Sequence, residues 1–411
     1  YQFSSGSLEE ITDAAKRTLY LGIDPSANSL QVGQLQAFLV LRRFLEDGHK
    51  IVLVIGGGTG LIGDPGGKNA ERPLLTEEEV ESNGRAIATQ AKRLFDGGSF
   101  TMVNNADWLK KTNLLEFLRD TGKHFTVNEM IKREMVKDRI EDPAQSISYA
   151  EFSYMTLQAY DFAYLNNTYN VDVQVGGSDQ WGNIISGVEL IRRTSGKPAY
   201  AFTWPLLINK STGRKFGKSE EGTIWLDESK TSLDVFYDFW LSSDDADVEE
   251  YLMKMTLLPT SEIHRLITQH QQNPALRLAQ RKLAYEVTSL VHGKEKAEFI
   301  EQLAVVARKG EFDNPLWRHM LYELGKKHSE SITVRPSQPI IEVLLDAKLA
   351  TSKSDARRLI KAKGIRLNGK TVQDEDATLQ PGDLAQDAGI IEKGSDMRIL
   401  IKRGFLDSIF K

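Results

Sequence analysis

Lys215 and Lys218 stand three residues apart in Gly213-Arg214-Lys215-Phe216-Gly217-Lys218-Ser219, between glycines and in a stretch too polar to be core. Two ammonium groups so placed suit the neutralisation of charge on a polyphosphate as it develops. The stretch ends in Gly-Lys-Ser as a P-loop does, but Thr212 stands where that pattern needs its first glycine. A P-loop also opens a helix, whereas here Glu220-Glu221-Gly222 leads into the strand-like Thr223-Ile224-Trp225-Leu226. Phosphate is therefore expected to be handled by another architecture.

Other groupings point to the same kind of ligand. Asp24-Pro25-Ser26 ends an apolar run, and Gln31-Val32-Gly33-Gln34 then opens a helix. Backbone N–H groups at a helix start bind phosphate, and Gly33 lets a nucleotide come close. The plainer reading is a tight strand-to-helix turn. Gly58, Gly60 and Gly63 match GxGxxG, but Asp64-Pro65-Gly66-Gly67 ends any helix at once. This favours a backbone lying against a ligand, with Asp64 facing it, over a dinucleotide fingerprint. Lys68 and Arg72 follow, either as surface charges or as a second pair of phosphate ligands.

Tyr154, Gln158 and Asp161 fall at i, i+4 and i+7 and share one helix face. The helix is otherwise apolar and aromatic, so that face reads as the lining of a cavity rather than a solvated stripe. Asp there can accept from a hydroxyl, and Gln and Tyr can hold an ammonium group. Gly176-Gly177-Ser178-Asp179-Gln180-Trp181-Gly182-Asn183 joins an expected strand to a helix, where packing alone does not select Asp179 and Gln180. From Lys348 to Lys370, eight basic residues, Lys353, Arg357, Arg358, Lys361 and Lys363 among them, face one acid, Asp355. In a chain of net charge −5 that is a local footprint for RNA, against the alternative of a solvated helix face.

The elements that must position these groups follow from periodicity. Thr18–Ile23 and Ile51–Ile55 read as buried strands around a helix from Gly33 to Asp47, closed by Gly48. A strand at Val171–Val175 and a helix at Asn183–Thr194 form a second such unit. The fold class is thus α/β with a doubly wound parallel sheet, whose site lies at the carboxyl ends of its strands. After about Thr231 the pattern becomes all-α, with helices expected at Asp234–Leu241, Val248–Leu257, Ser261–His270 and Ala275–Val291. Lys309–Pro339 reads as a linker holding one helix, Trp317–Leu324. From Ile340 a small α+β segment ends in a hairpin with a type I′ turn at Asn368-Gly369. The boundaries expected are 1–230, 231–308, 309–339 and 340–411.

The chain's 411 residues suit two or three domains, and 40% apolar residues supply real cores. Cys is absent, and the seven His show no HxH or HxxxH spacing, so no disulfide framework or metal site is expected. No apolar run approaches the about 20 residues of a membrane span. No leader pattern is visible, although the chain opens at Tyr1 rather than Met. A cytoplasmic protein is the expectation.

Five segments carry a resemblance. They are Tyr20-Leu21-Gly22-Ile23-Asp24-Pro25, Thr59 to Pro65, Glu151 to Tyr154 with Gln158 to Phe162, Gly176 to Asn183, and Lys215 to Ser219. In this order the chain resembles bacterial-type tyrosyl-tRNA synthetases, of class I, essentially from end to end. The resemblance implies a Rossmann-like catalytic domain with a dimerisation insertion around 110–150, an all-α domain for the anticodon arm, and a small RNA-binding domain. It also implies formation of tyrosyl-adenylate from tyrosine and ATP, with Mg2+ accompanying ATP and no bound organic cofactor, then tyrosyl transfer to tRNA.

By the same resemblance Tyr20 and Asp161 meet the phenol. Asp64, Tyr154 and Gln158 hold the ammonium group, and Gln180 lies by the carboxylate. Asp24, Ser26, Gly33, Asp179 and Phe216 serve ATP, while Lys68, Arg72, Lys215 and Lys218 grip pyrophosphate. A homodimer is implied, with Phe117, Phe125 and Met130 in its region. One departure stands out: the family's first signature is normally His-x-Gly-His, sometimes ending in Asn, and here it is Gln31-Val32-Gly33-Gln34. An active enzyme is expected. A catalytically weakened RNA-binding paralogue and an adenylating enzyme with a small-molecule acceptor are the alternatives.

Overall fold

The computed structural model describes residues 2–3, 9, 15–63, 75–142, 146–210, 216–219, 222–309, 332–335, 337–384, 388–394 and 397–403. They divide into two compact units, 1–293 and 294–411.

The first unit is built on one sheet. Its strands are β1 (Gln2–Phe3), β2 (Thr18–Ile23), β3 (Lys50–Ile55), β4 (Thr101–Asn104), β5 (Val173–Gly177) and β6 (Tyr200–Trp204), in the order β1-β6-β5-β2-β3-β4. β2 to β6 run parallel, and β1 pairs antiparallel at the edge. The long helices are α1 (Val32–Glu46), α2 (Glu77–Leu94), α3 (Tyr149–Tyr169) and α4 (Trp181–Thr194). The expected strand–helix–strand unit is present within a residue at each boundary.

α1 follows from its apolar stripe, since Leu35, Phe38, Leu39, Leu41 and Phe44 are buried. α2 and α3 each open on a capping box, Thr76 with Glu79 and Ser148 with Glu151, which satisfies orphan N–H groups at both ends of the exchange. Glu151 is further held by Arg139 at 2.7 Å. α3 is walled by apolar residues on most sides, so the polar face it does carry is enclosed rather than solvated.

After Thr231 come α5 (Leu233–Leu241), α6 (Asp245–Met255), α7 (Thr260–Gln272) and α8 (Leu278–His292). They belong to the same compact unit as the sheet. Arg43 of α1 donates to the carbonyls of Thr256 (2.6 Å) and Met253 (3.3 Å) after and within α6, and Arg93 of α2 donates to Val291 O of α8 (3.1 Å).

In the second unit, β9 (Ile332–Val334), β10 (Ile365–Leu367), β11 (Lys370–Thr371), β12 (Ala388–Lys393) and β13 (Met397–Arg403) form a sheet ordered β11-β10-β12-β13-β9. Val343, Leu344, Leu349, Ile360, Ile365 and Ile391 fill its core. The β10–β11 turn has positive φ at both Asn368 (48°) and Gly369 (74°), as a type I′ hairpin requires. The helix expected at Trp317–Leu324 lies outside the described residues.

Among the described residues no helix is long and apolar enough to cross a membrane.

Candidate active site

The order of the sheet reverses between β2 and β5, and the carboxyl ends of these strands form the crevice that such sheets use for ligands. A hydrogen-bond chain, half-buried at Asp24 and buried beyond it, crosses this crevice. Tyr154 Oη donates to Asp24 Oδ2 (2.9 Å), and Thr59 Oγ1 donates to Asp24 Oδ1 (2.9 Å). Asn105 Nδ2 donates both to Thr59 Oγ1 (2.9 Å) and to Asp161 Oδ2 (2.8 Å), while Trp108 Nε1 donates to Asp161 Oδ1 (2.7 Å). Gly56 makes room for this chain, since a Cβ there would stand 2.1 Å from Asp24 Oδ1.

Asp161 is 5% exposed, with a fixed donor on each oxygen. Burial pushes its carboxyl up to about 7 against the pull of Asn105 and Trp108, with the charge of Asp24 adding to the rise. Tyr20 is 1% exposed and its ring packs on Phe162 at 5.2 Å. Burial, and then the charge of Asp161, hold its phenol well above the usual range. Gln174 is the register partner of Tyr20, so the two side chains leave the same face of the sheet. Tyr20 Oη and Gln174 Oε1 are both buried with no hydrogen-bond partner among the described residues. A buried polar atom left unpaired costs about 1–3 kcal/mol. A ligand bringing a hydroxyl to this corner relieves that cost.

The start of α1 meets the 217–226 segment backbone to backbone. Val32 N donates to Ile224 O (3.1 Å) and Leu226 N to Leu30 O (2.9 Å), which zips the Gln31–Gln34 turn to the segment that follows β7 (Lys218–Ser219) and β8 (Gly222–Thr223). Gly217 has φ +99°, and a Cβ on it would lie 3.3 Å from Gly33 N. Two stretches far apart in sequence are thus in direct contact. At the start of α1, Gln31 N donates to Gln34 Oε1 (2.9 Å). The Gln34 carbonyl is thereby committed to the helix start, which leaves its NH2 as the group for a ligand.

The structure brings together Tyr20, Asp24, Tyr154, Gln158, Asp161 and Gln180. Gln180 Oε1 accepts from Gln158 Nε2 (3.5 Å) and Asn183 Nδ2 (3.2 Å). Ser26 and Asp179 are exposed at the strand ends. Asp64, Lys68, Arg72, Lys215 and the Lys218 side chain lie outside the described residues. The half-buried Asp24 carboxylate accepts from Tyr154 and Thr59. One expectation shifts. The Phe216 ring packs on Tyr251 (4.9 Å), Trp240 (5.5 Å) and Phe239 (5.6 Å), so only its backbone faces Gly33. Sequence reasoning missed Thr59, Asn105, Trp108 and Gln174. The signal for Asn105 and Trp108 was their place just after a strand, but β4 is four residues long and was not recognised.

In the second unit Lys353, Arg357, Arg358, Lys361 and Lys363 are all exposed on or beside α11 (Lys353–Lys361), which follows α9 (Lys294–Lys309) and α10 (Ile340–Asp346). The local charge is less one-sided than the sequence suggests. Asp355 pairs with Arg358 (2.7 Å), and Glu375, distant in sequence, reaches Arg357 (3.7 Å) and Lys361 (2.9 Å).

A doubly wound parallel sheet, with a glycine turn at the start of α1 and the 216–219 segment lying against it, is the arrangement expected of a class I tRNA synthetase. A family model for tRNA synthetases class I (W and Y) matches residues 12–305, and one for the tyrosine–tRNA ligase SYY-like C-terminal domain matches 323–397. The tyrosine–tRNA ligase of Staphylococcus haemolyticus is 42% identical over 405 residues, covering 97% of this chain and 95% of that protein. The tyrosine–tRNA ligase of Roseiflexus castenholzii is 45% identical over 383 residues, covering 89% and 88%. A C-terminally truncated mitochondrial tyrosyl-tRNA synthetase of Aspergillus nidulans matches with TM-score 0.63 at 32% identity, over 70% of this chain and 84% of that one. The chain belongs to the tyrosine–tRNA ligases. It is an ATP-dependent aminoacyl-tRNA synthetase, whose substrates are tyrosine, ATP and tRNA.

Proposed function

We propose that Tyr20, Asp161 and Gln174 receive the phenol of tyrosine. Tyr154, Gln158 and Asp64 take its ammonium group, and Gln180 its carboxylate. The observation that carries this is the buried Asp161 carboxylate, fixed by two donors, beside a Tyr20 hydroxyl that has no protein partner among the described residues. The ATP side is Gly33, Asp179, Ser26 and the Phe216 backbone. Lys68, Arg72, Lys215 and Lys218 bind the departing pyrophosphate, and Mg2+ arrives with ATP. A tyrosine carboxylate oxygen bonds to the α-phosphorus, the bond from that phosphorus to the β-phosphate oxygen breaks, and pyrophosphate leaves. The nucleophile is already ionised, so no proton moves and catalysis rests on positioning and charge. The all-α region 231–308 and the 340–411 segment hold tRNA, the latter through Lys353, Arg357, Arg358, Lys361 and Lys363. The setting is cytoplasmic. Tyrosine-dependent ATP–pyrophosphate exchange tests the assignment, and absence of exchange in folded protein overturns it.

Gln31 and Gln34 replace imidazoles with amides, which donate hydrogen bonds but carry no charge. Gln31→His with Gln34→His is expected to preserve or raise the exchange rate. A large loss in that double variant would show that the glutamines, with the Gln34 cap on Gln31, are specifically built in.

The protein acts as a homodimer in this reading. The short helices of the 110–150 insertion expose Leu114 (68%), Leu115 (76%) and Val127 (57%), apolar side chains that a second copy would cover. Phe117 instead packs on Tyr160 at 5.6 Å and Met130 is buried, so the contact falls to the leucines. Leu114→Glu with Leu115→Glu is expected to give a monomer by sedimentation. An unchanged dimer would place the interface elsewhere.

A further inference from the structure

The Lys215 to Ser219 stretch is useful only if it is held in register with the start of α1, and the residues that do this are on neither element. Three residues of α6, at i, i+3 and i+4, face its base. Asp247 Oδ1 accepts from the backbone N–H of Lys210 (2.9 Å), Glu250 Oε2 pairs with Lys210 Nζ (2.8 Å), and the Tyr251 ring packs on Phe216 (4.9 Å). Asp247 is 1% exposed and Tyr251 3%. Burial first, and then the charge of Asp247, hold the Tyr251 phenol above its usual range. Phe216 N also donates to Leu207 O (3.2 Å). Residues 210 and 216, on either side of 211–215, are therefore tied to one helix face.

The same helix is fixed to the other signature. Arg43 of α1 donates to Met253 O of α6 and to Thr256 O just beyond it. Gly217, next to Phe216, touches Gly33 at the front of α1. A buried carboxylate is an expensive way to hold a single backbone N–H, since its second oxygen, Oδ2, has no partner among the described residues. Packing alone would be served as well by an apolar residue.

From this we infer that the Asp247–Glu250–Tyr251 face of α6 is a positioning platform. It sets the lysine-bearing loop against the Gln31–Gln34 turn, and so governs the pyrophosphate-forming step without touching substrate. The inference rests on reading Lys218 as a pyrophosphate ligand. A misplacement of about 1 Å at a reacting centre can lower a rate by about 10²-fold, so a helix remote from tyrosine can still act on kcat.

The test uses the full chain with Asp247→Ala, Asp247→Asn and Tyr251→Leu, each alone and combined with Lys218→Ala. Exchange is measured as separate kcat and KM for ATP, tyrosine affinity by equilibrium dialysis, and Tm alongside. Asp247→Ala and Tyr251→Leu are expected to lower kcat about tenfold or more with tyrosine affinity within about twofold, and to add little to the loss caused by Lys218→Ala. Asp247→Asn keeps an acceptor oxygen and is expected to fall between Asp247→Ala and wild type, which preserves a reading if the alanine variant does not fold. Full exchange in folded Asp247→Ala and Tyr251→Leu overturns the platform, as do losses that add in full to Lys218→Ala or that come with a parallel loss of tyrosine affinity. Lys218→Ala at the full rate overturns the pyrophosphate reading instead, so the two failures are told apart.

Discussion

Replacing Lys218 by alanine is expected to lower tyrosine-dependent ATP–pyrophosphate exchange by about 10²–10³-fold, with tyrosine affinity unchanged within about twofold. Negative charge moves onto the leaving pyrophosphate as the α-phosphorus accepts the carboxylate. A cation aimed at that charge contributes in the transition state and little in the ground state, so its loss appears in kcat. Lys218 begins β7, directly after Gly217, and Gly217 lies against Gly33 at the mouth of α1. The Gln31–Gln34 turn has no imidazole to share the charge, since both residues are neutral amides. In the proposed site the lysines are therefore expected to carry more of the stabilisation than in a relative with His at both places. In the proposed site tyrosine is held by Tyr20 and Asp161, so its affinity is expected not to register the change. Parallel losses in exchange and in tyrosine affinity would mean that the loop is structural. A loss below about threefold would mean that Lys218 is not a pyrophosphate ligand.

What the sequence made legible depends on how local the cause was. Thr18–Ile23 and the helix after it could be read because a buried parallel strand is a continuous apolar run and α1 carries its core residues on one stripe. The Asn368-Gly369 turn could be read because positive φ at two consecutive positions selects those residues. Tyr154, Gln158 and Asp161 could be placed together because seven residues of one helix bring them onto one face. The network that gives Asp161 its properties could not. Asn105 and Trp108 come 53–56 residues earlier in the chain, after a four-residue strand whose Thr101 and Met102 are exposed and which shows no burial pattern of its own. The role of Phe216 was misjudged for a related reason. Its neighbours in sequence are all phosphate-loop residues, whereas its ring partners are Phe239, Trp240 and Tyr251, which only the packing of α5 and α6 brings near. Glu375 was overlooked at the basic helix because an ion pair between elements leaves no trace in local composition.

Asp161→Asn is expected to collapse the discrimination between tyrosine and phenylalanine while stabilising the unliganded protein at alkaline pH. A site built to bond a hydroxyl rejects the analogue without it by about 10⁵, a factor measured on a tyrosyl-tRNA synthetase itself rather than deduced from this crevice. The asparagine amide keeps one acceptor but turns an NH2 towards Trp108 or Asn105, both of which are donors to the carboxylate. Tyrosine kcat/KM should then fall by about 10² or more, with the phenylalanine value little changed. The carboxyl's position near 7 fixes the signs. A phenol donating to Asp161 favours the carboxylate, so tyrosine binding lowers this pKa and releases a proton. Tyrosine affinity should rise with pH up to about 7, level off above it, and be flat over this range in Asp161→Asn. For folding, the native carboxyl titrates near 7 and the unfolded one near its ordinary value of 3.8. Between those values the native state binds the extra proton, so stability falls as pH rises through that window and stays lower above it. The full shift corresponds to at most about 4 kcal/mol, before the donor clash in the variant is counted. Unfolding the tyrosine-free protein at pH 8 and at pH 5 should therefore show the variant gaining on wild type at the higher pH. A difference independent of pH would mean that Asp161 is ionised throughout, and that Asn105 and Trp108 outweigh burial.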